Sequence, residues 1–74
     1  MVKSFYQYLL TFRQPKNIDD ITKFASDAFL DHTFPKHSSD YHEISAYLEM
    51  NGHYLDSMRI FDDVWEQYAT IYNI

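Results

Sequence analysis

From Tyr54 to Tyr72 apolar residues recur every three or four positions, and this pattern constrains the fold more than any other feature of the chain. At about 100° per residue, Met58, Ile60, Phe61, Val64, Trp65, Tyr68, Ala69, Ile71 and Tyr72 cover half the circumference of a helix. Asp56, Arg59, Asp62, Asp63, Glu66, Gln67 and Thr70 fill the opposite half. A helix over 54–72 is about 28 Å long. Its apolar face is wider than contact with one other helix requires. The spacing therefore predicts a rod on which everything else packs.

Three shorter helices are expected upstream. Ser4, with Gln7 three residues on, forms a capping box before the apolar run FYQYLLTF. Pro15 ends that helix, since the residue before a proline is pushed out of the α region. A second helix starts near Asn17 or Asp19. Ile18, Ile21, Phe24, Ala25, Ala28 and Phe29 follow the spacing of one face, and Asp20, Lys23, Asp27 and Asp31 read as the solvated face. After HTFPKHSS, Asp40 begins a third helix, with Glu43 placed to close a second capping box. Tyr41, Ile44, Tyr47 and Leu48 form its apolar side. Gly52, the sole glycine, falls just beyond it, where a left-handed residue is expected.

Length allows a single domain, residues 1–74. A chain this small buries only about 60% of the surface its unfolded form exposes. There is no cysteine to brace it or to form a thiolate zinc site, but 14 aromatic residues supply large buried areas. No apolar run approaches the roughly 20 residues of a membrane span, and the first residues lack a signal-peptide pattern. The expected location is the cytoplasm, with no membrane partner. Net charge is −5 and asymmetric: residues 1–37 carry five basic and four acidic side chains, residues 38–74 only Arg59 against seven acids. An acidic surface repels phosphate backbones.

The runs SFYQYLLTFR, FASDAFLDHTFPK, ISAYLE and FDDVWEQY span nearly the whole chain. Their elements D-x-x-FP (Asp31, Phe34, Pro35) and FD-x-x-W-x-x-Y (Phe61, Asp62, Trp65, Tyr68) resemble the YozE-like family of small proteins from Gram-positive bacteria. The resemblance implies an all-α, SAM-like four-helix bundle of two roughly orthogonal hairpins. It brings no catalytic or binding residues, and SAM-like folds elsewhere serve protein association and nucleic acid binding alike.

The stretch DHTFPKHSSDYHE holds His32, His37 and His42 with Asp31, Asp40 and Glu43, and His53 follows. Helical zinc pairs place histidines at i and i+4, whereas these are five apart across a loop and a helix start. The favoured reading is a connector and two caps, with no metal and no cofactor. A triad from Ser38, Ser39, Asp40 and His42 is disfavoured, because sequence neighbours rarely converge opposite an oxyanion hole. No nucleophile elbow or phosphate loop is present, so the chain reads as not an enzyme. Phe34 is expected under the loop, closing the gap between the hairpins.

Fourteen aromatics exceed what so small an interior is expected to hold, so some of Tyr6, Tyr8, Tyr41, Tyr47, Tyr54 and Tyr72 should surface. The leading reading is a protein-interaction or self-association module using an aromatic, acid-rimmed surface that includes Tyr41, Tyr47 and Tyr54. The alternative is nucleic acid binding through Lys3, Arg13, Lys16, Lys23 and Lys36.

Overall fold

Ser4 opens the first helix, α1 (Phe5–Leu10), with a complete capping box. Its Oγ accepts the Gln7 amide at 3.2 Å, and the Gln7 side chain accepts the Ser4 amide at 3.2 Å. The computed structural model describes residues 3–16 and 18–73, which contain three further helices: α2 (Asp20–Leu30), α3 (Tyr41–Asn51) and α4 (Met58–Tyr72). The described residues include no strand.

Asp19 caps α2 by accepting the Thr22 amide at 2.8 Å and the Thr22 hydroxyl at 2.6 Å. These bonds hold its pKa below the ordinary carboxylate value. Asn17, the other expected start, lies outside the described residues. Asp40 caps α3 through the His42 amide at 2.9 Å. Glu43 does not close the box, because the Asp40 amide is already engaged by Ser38 Oγ at 3.1 Å. The fourth helix starts one turn later than its periodicity predicts. Leu55 turns its amide back onto the Gly52 carbonyl at 2.8 Å, and Ser57 then caps α4 through the Arg59 amide. Tyr54 therefore belongs to a turn.

Gly52 corrects another expectation. Its φ of −88° is not left-handed. Glycine is needed there for space: a Cβ would lie 2.6 Å from the Leu48 carbonyl oxygen and 3.1 Å from Leu48 Cα. The left-handed residue is Asn73, φ 57° and ψ 47°, which ends α4. Asparagine tolerates that conformation better than most residues.

α4 is the central rod. It packs against all three other helices, α1 also packs on α2, and α3 approaches only α4. Phe61, Val64 and Tyr68 point inward and are buried, with Trp65 half-buried beside them. Phe5 joins the helices. Its ring meets Phe61 edge-on at 5.3 Å, Tyr68 edge-on at 5.6 Å, Trp65 at 5.4 Å and Phe24 at 6.5 Å. Such pairs add roughly 0.5–1.5 kcal/mol each beyond area burial. The buried Tyr68 hydroxyl bonds the Lys3 carbonyl and Ser39 Oγ, fastening α4 to the loop before α3. Phe34 is buried between Tyr6 of α1 (5.4 Å) and Tyr47 of α3 (5.7 Å), so it does close the gap between hairpins.

Three residues assigned to buried faces are exposed. Ile18 precedes the α2 cap, so helical phase does not apply to it. Phe29 lies at the edge of its face, where the Arg13 guanidinium covers it 3.7 Å from the ring centroid. Ile71 faces a surface depression shared with Ile21, where no helix covers it. Among the described residues no helix is long and apolar enough to cross a membrane.

Candidate functional site

The end of α2 and the body of α3 make no close backbone approach, and side chains bridge the space between them. Asp31, the C-cap of α2, is the centre of that bridge. Its Oδ2 accepts the Tyr47 hydroxyl at 2.6 Å and the Tyr54 hydroxyl at 2.8 Å. Its Oδ1 accepts the Thr33 amide at 3.2 Å and the Thr33 hydroxyl at 3.0 Å. Thr33 Oγ1 also stands 2.7 Å from the Tyr47 hydroxyl, a contact in which either group can donate. Burial works to raise the Asp31 pKa, but the bonds from Tyr47, Tyr54 and Thr33 together outweigh it and leave the carboxyl below its ordinary value. Both phenols move up, first through burial and then through their bonds to Asp31, and Tyr54 moves furthest.

Above this network opens a cleft of about 650 Å³. Asp31, Tyr47 and Tyr54 line it, Leu30 (68% exposed) and Met50 (86%) flank it, and His32 and His53 share its rim. Lys23 and Asp27 form an ion pair beside it at 2.9 Å, and the Lys23 ammonium also donates to the Tyr54 carbonyl at 3.0 Å. The cleft thus presents aliphatic rims over hydroxyl groups already engaged with one carboxylate.

Of the three tyrosines expected to form one surface, the structure brings together Tyr47 and Tyr54. Tyr41 lies apart: its ring stacks on Phe61 at 5.4 Å and its hydroxyl donates to Asp62 at 2.8 Å. That bond, with burial added, raises the Tyr41 pKa. All three are half-buried. The expected surplus of surface tyrosines does not appear, and Phe29 is the one exposed ring among the 14. The physical reason is shape: a phenol can lay its ring on the core and still reach an acid at the rim. The exposed apolar groups are chiefly aliphatic instead.

The solvated reading of Asp31 is corrected by its four hydrogen bonds. Leu30 and Met50 also escaped sequence reasoning, since Leu30 stands outside the apolar face read for the second helix and Met50 outside that read for the third. A usable signal existed for Asp31: a carboxylate at a helix C-terminus opposes the helix dipole and needs compensating donors.

The basic residues go to separate partners. Lys23 pairs with Asp27, Arg13 covers Phe29, and Lys36 donates to the His32 carbonyl at 2.8 Å and lies over the Tyr6 ring. Lys3 and Lys16 are exposed. The four histidines are exposed, and among the described residues no three His, Asp or Glu side chains converge in a group able to hold a metal ion. Ser38 and Asp40 serve the α3 start, and Ser39 bonds Tyr68.

A family model described as the YozE SAM-like fold matches residues 4–70. The chain is similar to the UPF0346 protein YozE of Bacillus subtilis, 58% identical over 69 residues and covering 93% of each chain. A UPF0346 protein of Geobacillus kaustophilus is 56% identical over 68 residues, 92% of this chain and 94% of the relative. Another, from Limosilactobacillus reuteri, is 53% identical over 73 residues, 99% of this chain and 100% of its own. None of these names states an activity, ligand or partner. The match runs through the capping box, the Asp31–Phe34–Pro35 turn and the rod α4 alike, and the chain belongs to the YozE SAM-like family.

Proposed function

We propose that this protein is a small, non-enzymatic interaction module that binds another protein at the Asp31 cleft. One observation carries the reading: Leu30 and Met50, two large apolar side chains, are exposed and line the same concavity. Apolar side chains concentrated at a concave site favour a partner that removes them from water, at roughly 25 cal/mol per Å² buried. Tyr47 and Tyr54 supply a rigid floor, because their hydroxyls are fixed on Asp31 and lose little freedom on binding. The same engagement argues against catalysis there, since the carboxylate lone pairs already accept four protein donors. The nucleic acid reading has less support: Lys23, Lys36 and Arg13 are each held by groups of the chain itself.

The test is affinity capture from the host's own extract with wild type and with Leu30→Ser/Met50→Ser side by side. A protein retained by wild type and lost at least fivefold from the variant is the expected result. Identical capture by both forms, or recovery of nucleic acid in place of protein, would overturn the reading.

A further inference from the structure

A second surface lies at the other end of α2, where its first turn meets α4. Two neighbouring depressions, of about 570 and 240 Å³, have Ile21 and Asp63 in common and together make up the α2–α4 groove. Ile21, Ile60 and Ile71 provide its apolar lining, Ile71 being 60% exposed. Asp19, Asp20, Asp63 and Glu66 stand along it, and no basic side chain lines it among the described residues. Lys23, one turn from Asp19 and Asp20, is drawn off to Asp27 and the Tyr54 carbonyl. Asp63 and Glu66 are three apart on one helix, a spacing at which like charges repel.

From this arrangement we propose that the α2–α4 groove docks a basic amphipathic helix of another protein. Isoleucines between two packed helices offer the ridges and grooves into which the apolar stripe of a third helix fits. Flanking lysines or arginines of that helix meet the carboxylates and relieve the repulsion between Asp63 and Glu66. Charge selects the occupant: an anionic surface excludes nucleic acid and acidic peptides and accelerates association with cations. This proposal stands on observations separate from the Asp31 cleft, and either can fail without the other.

The experiment is an amide NMR titration of the intact protein with an 18-residue helical peptide of leucine and lysine. Saturable shifts are expected at Ile21, Ile60, Asp63, Glu66 and Ile71. Asp63→Lys/Glu66→Lys should weaken binding at least tenfold while leaving the circular dichroism spectrum unchanged. Ile71→Ser, an exposed position, is a second variant that should weaken it severalfold. Leu30→Ser/Met50→Ser should leave affinity unchanged, and an equal loss there would place the peptide in the other cleft and overturn the proposal. So would equal binding of a leucine–glutamate peptide or of a DNA duplex. Concentration-dependent shifts at the same residues without peptide would make the occupant a second copy of this chain, and would also overturn it.

Discussion

Asp31 sits where a carboxylate is least welcome, at the negative end of the α2 dipole. Three side-chain hydroxyls and one backbone amide, from Thr33, Tyr47 and Tyr54, reverse that disadvantage, and the carboxyl is held below its ordinary pKa. Asp31→Asn replaces one acceptor oxygen by an amide nitrogen, so either Thr33 or the tyrosine pair faces a donor. The loss should be about 1–3 kcal/mol at neutral pH. In a domain of this size that lowers Tm by roughly 4–8 °C per kcal/mol. The pH dependence has a definite sign. The folded pKa lies below the ordinary 3.8, so the stabilisation is complete above that value and disappears as pH falls through the folded pKa. Thermal melts of the two forms should therefore converge below about pH 4. A constant gap down to pH 2 would show that charge plays no part. None of this was legible from periodicity, which placed Asp31 on a wet face. Spacing along one helix says nothing about phenols arriving from residues 47 and 54.

At the scale of elements, the sequence announced helices through caps and periodicity, and it misled where a local contact competes. Ser4 and Gln7 meet as expected: the Ser4 hydroxyl gives its proton to the Lys36 carbonyl at 2.8 Å, and its oxygen still accepts the Gln7 amide. Glu43 loses its role to Ser38, a loop residue that no helix-start signal pointed to. The extra turn assigned to α4 came from Tyr54, which fits the apolar phase but serves Asp31 from a turn. Gly52 gives the sharpest test. If its role were a left-handed conformation, asparagine would substitute far better than alanine. The structure assigns it a steric role, since any Cβ meets the Leu48 carbonyl at 2.6 Å. Gly52→Ala and Gly52→Asn should therefore destabilise alike, by about 1–3 kcal/mol, as measured by urea denaturation. A Gly52→Asn protein as stable as wild type, beside a damaged Gly52→Ala, would restore the left-handed reading.

The whole molecule stands on rings gathered around one helix. Its Cα radius of gyration, 11.3 Å, is that of a compact chain of 74 residues. A domain of that length has a net stability of only roughly 4–11 kcal/mol, and no cysteine to supplement it. Phe5 joins α1 to both α2 and α4, touching Phe24, Phe61, Trp65 and Tyr68 with none of its surface exposed, while Tyr8 adds a second contact to α4 through Tyr68 and Tyr72. Removing a buried phenylalanine costs about 3–5 kcal/mol, a large share of that total. Phe5→Ala should therefore bring the chain near its unfolding midpoint at 37 °C, whereas Phe5→Leu, which keeps most of the volume, should remain folded. Trp65 packs at 5.4 Å from Phe5 and reports the difference: its emission should shift to the red in Phe5→Ala together with loss of helical circular dichroism. Trp65 emission that shifts while helix content holds would mean that α2, α3 and α4 stay folded without α1. A Phe5→Ala protein that melts cooperatively within a few degrees of wild type would mean that the rod does not depend on this ring at all.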